Sequence, residues 1–394
     1  MRRLTDRRGG ERGAVAAIVA IIFGAFVLTG VAALTVDAGS LYAERRVVQN
    51  GADAASLALA QACARGDVAK CSASWSDLTS LADLNSPDGF TDIASVCGSG
   101  APFASCVFPA SPALKDCINL PASLPSTANW VEVRTKTRST TANPSVVSRF
   151  FANLSDPSYQ GSGVRACARA AWGPAGALQT VVPLTFSICE WYAATANGTI
   201  YGNRPPFTAS NPETPAREIA LALNAPNDAA CATWAGHDLP GGFGWLCHGS
   251  QCSPPSSTSC SIAVDGNGWV DVDTGVGAGN DCSGPMTTMV STVVYLPVFD
   301  CRSSNQTFCD NTANGTHAFY HIKGYAAFFV TGVDINGQMN TFRSGYPTPA
   351  AKATCTAKGG KCVYGWFLQD LLPASAVIGD GSSNFGLTVV QVVG

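Results

Sequence analysis

Residues 14–36 carry the sequence AVAAIVAIIFGAFVLTGVAALTV, which contains no charged side chain in 23 positions. As an α-helix this segment would be about 35 Å long, and the hydrocarbon core of a bilayer is about 30 Å thick. Other apolar runs, such as 287–299 and 324–333, are too short to span a bilayer and are typical of buried strands. The sequence therefore predicts one transmembrane helix over 14–36, preceded by a short tail over 1–13.

The charges that flank the span predict its orientation. Five arginines precede it, against Asp6 and Glu11, whereas Asp37 follows it directly. Because short basic segments stay on the cytoplasmic side of a membrane, we expect a cytoplasmic N-terminus and an extracytoplasmic C-terminal domain. A cleaved signal peptide is the alternative, but its apolar region is usually only about 7–15 residues long. The sequence thus favours a single-pass protein of the cell membrane, with the lipid bilayer as one partner.

The composition excludes several function classes. Charged residues make up 13% of the chain, against about 25% in an average soluble domain. The formal net charge is -3 and no basic stripe follows the tail, so nucleic acid is not an expected partner. Neither a Walker A loop nor a G-x-G-x-x-G fingerprint is present, so no nucleotide and no cofactor is expected.

The helix is predicted to continue beyond the membrane, over 37–64. Apolar side chains recur there at helical spacing, at Leu41, Val48, Ala52, Ala55, Leu59 and Ala62. Gly51 interrupts the pattern at some cost in helix propensity. The narrow, Ala-rich face is predicted to pack on the protein's own ectodomain. Packing on neighbouring subunits, as in pilin-like assemblies, is the alternative.

The rest of the chain is predicted to form two regions, 65–175 and 176–394. In the first, alternation over 129–139 predicts a half-exposed strand, 146–154 a short amphipathic helix, and 164–172 a strand ended by Gly173 and Pro174. The second region is mainly β, with one short helix over 215–224. Its predicted strands are 180–188, 288–299, 317–335, 362–368 and 386–393. The expected fold class is α+β: a long N-terminal transmembrane and stalk helix followed by a mainly β, disulfide-rich ectodomain.

All 16 cysteines follow the span, from Cys63 to Cys362. No C-x-x-C occurs, so structural disulfides formed outside the cytosol are favoured over metal binding. Short loops predict five local pairs: Cys63–Cys71, Cys97–Cys106, Cys252–Cys260, Cys301–Cys309 and Cys355–Cys362. The connectivity of the remaining cysteines stays open; they are Cys117, Cys167, Cys189, Cys231, Cys247 and Cys282.

One turn has the composition of a weak Ca²⁺ site. The sequence DGNGWVDVD places four oxygen-bearing side chains close together, at Asp265, Asn267, Asp271 and Asp273. The order of an EF-hand and its bidentate Glu are absent, so a solvated turn is favoured over a metal site.

No pattern of catalytic residues stands out. His317 and His321 are four residues apart but lie in a segment with strand composition and lack the Glu of a zincin motif. The NDCSGP turn over 280–285 has no recognisable His or Asp partner, and no G-x-S-x-G elbow occurs. We therefore expect a protein that is not an enzyme.

Polar as well as apolar residues of the N-terminal 10–60 segment follow one recognisable order. An Arg/Gly-rich lead and an apolar helix precede Asp-x-Gly-x-x-Tyr, a basic pair, Gln-Asn and an Ala/Asp-rich helix. This order resembles the N-terminal segment of TadE/TadG-like Flp pilus-assembly proteins. The matching residues are Asp37, Gly39, Tyr42, Arg45, Arg46, Gln49, Asn50, Ala52, Asp53 and Ala54.

The resemblance implies an envelope protein of a tight-adherence pilus system, with other pilus or secretion subunits as partners. The D-x-S-x-S metal site of a von Willebrand A domain, present in some relatives, is absent here. Prepilin cleavage after Gly13 would leave Ile18 where a Glu is usual. The hypothesis is thus an anchored, non-enzymatic protein that assists Flp pilus assembly or adhesion. The alternatives are an exported module that binds Ca²⁺ or a cell-wall polymer, and, less favoured, an exported hydrolase.

Overall fold

The architecture is that of a computed structural model, and only part of the chain is described. The described residues are 10–85, 91–106, 117, 120–138, 163–180, 182–223, 227–228, 231, 239–240, 243–246, 260, 262–265, 268–273, 282–309, 318–335, 339–372, 376–380 and 382–393. The amphipathic helix predicted over 146–154 lies outside these residues.

The elements alternate a few helices with many short strands. The helices are α1 (Gly10–Ala64), α2 (Leu78–Leu84), α3 (Ile188–Thr195), α4 (Ser283–Thr288) and α5 (Pro349–Ala357), with a 3₁₀ turn at Pro215–Arg217. The strands are β1 (Thr91–Gly98), β2 (Asn129–Thr137), β3 (Arg165–Thr180), β4 (Leu184–Ser187), β5 (Ile219–Ala222), β6 (Asn227–Asp228), β7 (Leu239–Pro240), β8 (Phe243–Leu246), β9 (Ile262–Asp265), β10 (Trp269–Asp273), β11 (Val293–Ser303), β12 (Ala318–Ile335), β13 (Met339–Phe342), β14 (Cys362–Leu368), β15 (Asp370–Leu372), β16 (Val377–Ile378), β17 (Ser383–Asn384) and β18 (Leu387–Val392).

The N-terminal helix α1 is one element of 55 residues, which confirms the predicted continuation of the span into a stalk. The helix runs through Gly51, which is buried. Beyond the span, the predicted apolar face is buried at Val48, Ala52, Ala55 and Leu59. This face packs on the protein's own strands, as predicted, and the fold is α+β.

The first sheet is centred on β3 and has the order β1-β2-β3-β18-β15. The 16-residue β3 pairs with β2 and β18 along its first part and with β9 and β16 along its last part. The strand predicted to end at Gly173 and Pro174 therefore continues to Thr180, and that prediction is wrong. The domain boundary predicted near 175 falls inside β3, and the C-terminal β18 belongs to this first sheet.

The second sheet has nine strands and contains the order β10-β8-β4-β11-β12-β14-β5. Because β10 also pairs with β12, five of these strands close into a ring of paired neighbours. The 18-residue β12 is its longest strand and is buried over most of its length. Its Phe328 and Phe329 belong to the main core, which also includes Ala171 and Val389 from the first sheet. The first sheet is therefore enclosed between α1 and this core.

Several predicted bounds differ from those in the structure. The segment 180–188 contains the end of β3, the short β4 and the start of α3, which Ser187 caps by accepting from the Cys189 N–H. The segment 288–299 starts at the end of α4, and its strand β11 begins only at Val293. The helix predicted over 215–224 is wrong, because only a 3₁₀ turn forms there and β5 follows, paired with β14. The predicted strands 317–335, 362–368 and 386–393 lie where β12, β14 and β18 form.

Seven disulfides join described cysteines. Four of the five predicted local pairs lie at bonding distance, but the predicted Cys252–Cys260 pair is wrong because Cys260 is bonded to Cys282. Cys282, the partner of Cys260, lies directly before α4 and 22 residues after Cys260 in the chain. The full set is Cys63–Cys71, Cys97–Cys106, Cys117–Cys167, Cys189–Cys231, Cys260–Cys282, Cys301–Cys309 and Cys355–Cys362.

We expect Leu59→Ala to lower the free energy of unfolding by about 2–5 kcal/mol, the usual cost of truncating a core leucine. Leu59 is fully buried between α1 and the first sheet. The matched control is Leu84→Ala, because Leu84 is 80% exposed and its loss should change stability little. Urea unfolding of the full chain in detergent, followed by tryptophan fluorescence, measures both. Equal midpoints for the two variants would contradict this account of the packing.

A second stabilising contact joins the loop before β5 to the segment after β13. Arg343 donates from Nε to Glu213 Oε1 at 3.1 Å, and the Tyr346 hydroxyl donates to the other carboxylate oxygen at 2.8 Å. The guanidinium also lies 5.7 Å from the ring centres of Phe207 and Phe329. The hydrogen bond from Arg343, helped by that from Tyr346, lowers the pKa of Glu213.

This lowered pKa predicts a pH dependence. Glu213 should stabilise the fold above its unfolded-state pKa of about 4.3, and this contribution should be lost as the pH falls through the lower folded-state pKa. We expect Glu213→Gln to cost about 0.5–1 kcal/mol at pH 7 and progressively less below pH 4. Urea midpoints across pH 2.5–7 measure the difference, with Asp77→Asn, at an exposed position, as the control. A pH-independent cost of Glu213→Gln would count against the ion pair.

Candidate functional site

The candidate site is the segment where α1 leaves its apolar span and docks on the first sheet, here called the stalk junction (residues 37–64 with the facing parts of β2, β3 and β18). The described side chains of α1 before it are exposed: Ile21, Phe26 and Leu28 are each at least 70% exposed. Among described residues, α1 is the one helix long and apolar enough to cross a membrane. The junction therefore connects a segment suited to lipid with a folded domain.

Three hydrogen bonds involve the turn of α1 that first meets the sheet, residues 48–53. Gln49 donates from Nε2 to the Cys167 carbonyl of β3 at 2.9 Å and to Asp53 Oδ1, one turn along α1, at 2.9 Å. The buried Thr135 hydroxyl of β2 donates to the Val48 carbonyl at 2.8 Å. These bonds connect α1 to two neighbouring strands, so they fix both the position and the rotation of the helix on the sheet.

Beyond this turn the junction is apolar. Ala55, Leu59 and Ala60 pack with Val131 and Val133 of β2 in one buried cluster. Alanine has no side-chain atoms beyond Cβ, so the helix axis can approach the sheet closely. The apolar side chains between helix and sheet are then excluded from water. The cluster is completed by residues from α2, the β1–β2 connection, β3 and β18, namely Leu78, Ala82, Phe103, Ala170 and Val390.

Residues 13–62 match the Flp pilus-assembly TadE/G-like family, known as Tad. This stretch covers the apolar span and almost the whole of the helical part of the junction. The N-terminal segment is a Tad-type segment. No curated protein and no solved structure matches the chain. The match and the membrane-spanning capacity of α1 together indicate a membrane protein related to pilus assembly.

The structure divides the polar residues of the Tad-type segment into two groups. Gln49 and Asp53, together with the buried Ala52, face the sheet and form the docking contacts. The residues Gly39, Tyr42, Arg45, Arg46 and Asn50 are exposed, and Asp37 is half-buried. Tyr42 is 69% exposed although it is aromatic. Docking thus accounts for three residues of the motif, and five others face outward.

The opposite face of the first sheet holds a buried group of charges. Glu132 of β2 is fully buried and accepts from Arg134 Nε at 2.6 Å and from Arg169 Nε at 2.7 Å. Arg169 also lies 5.2 Å from the ring centre of Trp130. The prediction that 129–139 forms a strand is correct, but its half-exposed character is wrong. The charged face is buried because each charge has a partner of opposite sign.

The structure does not gather the four candidate Ca²⁺ residues into one described cluster. Asp265 ends β9, which pairs with β3 in the first sheet, whereas Asp271 lies in β10 of the second sheet. Asn267 and the side chain of Asp273 lie outside the described residues. Within the described part of the chain, the clusters with metal-like spacing contain disulfide-bonded cysteines beside Glu132. Because those sulfurs are bonded to each other, they are poor metal ligands.

Of the two candidate histidines, His317 lies outside the described residues. His321 sits in β12, half-buried, with Nδ1 2.7 Å from Asp300 Oδ1 and its ring 5.2 Å from that of Trp269. Cys282, in the NDCSGP turn, is held by its disulfide to Cys260. These residues thus make structural contacts, as does the buried Asp370, which accepts from the Tyr295 hydroxyl at 3.0 Å.

The neighbours Gln49 and Asn50 allow a matched test of the junction. We expect Gln49→Ala to lower the free energy of unfolding by about 1–2 kcal/mol, since the half-buried Cys167 carbonyl and Asp53 lose their donor. Asn50→Ala, one residue further on the exposed face, should cost less than about 0.5 kcal/mol. Urea midpoints of the full chain in detergent compare the two. An equal effect of both changes would show that Gln49 does not fix the helix.

Proposed function

We propose that this is a single-pass, membrane-anchored envelope protein that assists the assembly of a Flp/Tad-type pilus or the adhesion of the cell surface, without enzymatic activity. The observation that carries the proposal is the Tad-type match over 13–62. That match covers the apolar span and also the helix that docks on the ectodomain. The central feature of the proposal is thus a continuous helical connection between membrane and folded domain.

The proposed orientation places the N-terminus in the cytoplasm and the ectodomain outside. It is supported by the five arginines before the span and by the seven disulfides after it. Disulfides form outside the reducing cytosol, and positive residues stay inside, so two independent properties favour the same topology. The proposed partners are the lipid bilayer and other subunits of the pilus or secretion system.

The non-enzymatic role is supported by how the polar groups are used. The buried Glu132 is neutralised by two arginines, and His321 is paired with Asp300. In each of these arrangements the charged group is engaged in a contact between residues of the fold. The domain is therefore proposed to act as a binding or positioning element in the pilus system.

Deletion of the gene in its native bacterium should reduce surface pili and adherence, and the wild-type gene should restore them. A copy with Ile22→Arg and Val27→Arg should fail to restore them, because each charge in the centre of a membrane helix costs about 2.5–3.5 kcal/mol. Electron microscopy of pili and a surface-adherence assay provide the measurements.

The matched control carries Ile22→Leu and Val27→Leu, which keeps the span apolar and should complement fully. Immunoblots of membrane fractions establish that each variant is made. Protease added to intact spheroplasts should digest the ectodomain if the proposed orientation is correct. Normal pili and adherence in the deletion strain would refute the proposed role.

A further inference from the structure

The exposed half of the Tad-type segment lies just beyond the apolar span. Tyr42, Arg45 and Arg46 occupy adjacent turns of α1, and all three are exposed. In a helix, positions three and four apart are neighbours, so Tyr42 lies beside both arginines. Tyr42 is one turn nearer to the apolar span than they are. Within the described part of the chain, neither guanidinium makes an ion pair.

The exposed side of this part of the helix carries Tyr42, Arg45 and Arg46, whereas Leu41 and Glu44 on its other side are half-buried. Burial of α1 against the sheet begins at Val48 and Gln49, where Thr135 and Cys167 form their hydrogen bonds. The helix therefore has about three turns, residues 37–47, between the end of the apolar run and the start of the domain. The exposed side chains of this stretch are therefore available to a partner outside the chain.

Helix geometry places Tyr42 at the outer edge of the lipid headgroups and the arginine Cα atoms just beyond them. The span is about 35 Å long in a core of about 30 Å, so the helix is tilted and each residue rises about 1.3 Å along the membrane normal. Tyr42 then lies about 8 Å and the arginine Cα atoms about 12–13 Å above the hydrocarbon edge. The headgroup layer extends about 5–8 Å beyond that edge.

The direction of the side chains closes the remaining gap. Helical Cα–Cβ bonds tilt toward the N-terminus, which for α1 is toward the membrane. Long arginine side chains near the end of a span extend to the interface in this way, and Tyr is enriched at the same level. The charge of a guanidinium also matches that of a lipid phosphate, which it can bind with two hydrogen bonds.

We propose that Tyr42, Arg45 and Arg46 form a lipid-headgroup site that binds the phosphates of anionic phospholipids at the base of the stalk. This proposal rests on the membrane anchoring of the proposed function but not on the pilus role. The site holds α1 at a set depth in the bilayer. Because α1 is docked on the sheet at Gln49, that depth also fixes the height of the ectodomain above the membrane. The partner is thus a membrane surface, recognised by its phosphate charge.

The test compares lipid selectivity of the full chain in reconstituted bilayers. Spin-labelled phosphatidylglycerol and phosphatidylcholine report, by electron paramagnetic resonance, which lipid is retained at the protein surface. We expect Arg45→Gln/Arg46→Gln to lower the preference for phosphatidylglycerol several-fold, with about fivefold for each guanidinium as the upper bound. Arg45→Lys/Arg46→Lys should retain most of the preference because the charge remains.

Arg65→Gln is the matched control. Arg65 is exposed and follows the last residue of α1, about 40 Å beyond the span, so its charge should not affect lipid selectivity. The arginines of the tail stay unchanged in every variant. Near-ultraviolet circular dichroism and the disulfide pattern establish that each variant is folded.

An unchanged lipid preference in Arg45→Gln/Arg46→Gln would overturn the proposal, as would an equal loss in Arg65→Gln. A change of oligomeric state with unchanged lipid preference would also overturn it, since that result would assign the exposed face to another subunit. These outcomes are separate from the pilus role, which the deletion strain tests by itself. A headgroup site could therefore fail while the proposed function stands.

Discussion

The docking of α1 on the first sheet is the contact on which the rest of the molecule depends. Without this docking, the apolar helix and the folded domain could move independently of each other. Here Gln49 and Thr135 bond helix to sheet, and Leu59 fills the space between them. The membrane span and the ectodomain therefore share one helix without a linker, and a force on one is transmitted to the other.

The low charge content has a structural counterpart in the ectodomain. Its buried strands carry few charges, and those that are buried occur as partners, such as Glu132 with Arg134 and Arg169. Burying a charge is costly unless it is paired and hydrogen-bonded, so such a group needs all its members. The seven disulfides among the described residues supply further stabilisation.

Local patterns predicted the stalk well, because both its length and its apolar spacing are properties of neighbouring residues. Val48, Ala52, Ala55 and Leu59 mark the docked face by spacing alone. Sequence could not show that Gln49 would meet the Cys167 carbonyl, since that contact joins residues 118 apart in the chain. The exposed positions of Tyr42, Arg45 and Arg46 also follow only from knowing where the sheet lies.

The errors have the same origin. The segment 215–224 has good helix formers, but pairing of β5 with β14 outweighs this weak preference. Alternation over 129–139 correctly predicted a strand. It could not show whether a charged side chain such as Glu132 faces solvent or has a buried partner, here Arg169 on β3. Cys260 has a near neighbour in sequence at Cys252, but the fold places Cys282 against it.

The position of β18 has a consequence for how the protein is made. This last strand pairs with β3, and its Val390 packs in the same cluster as Leu59 of the stalk. The membrane-proximal layer thus needs residues that are far apart in the chain, and it cannot be completed until β18 has been made. Until then the edge of β3 that β18 will cover stays open, and an open strand edge is prone to pairing with the wrong partner.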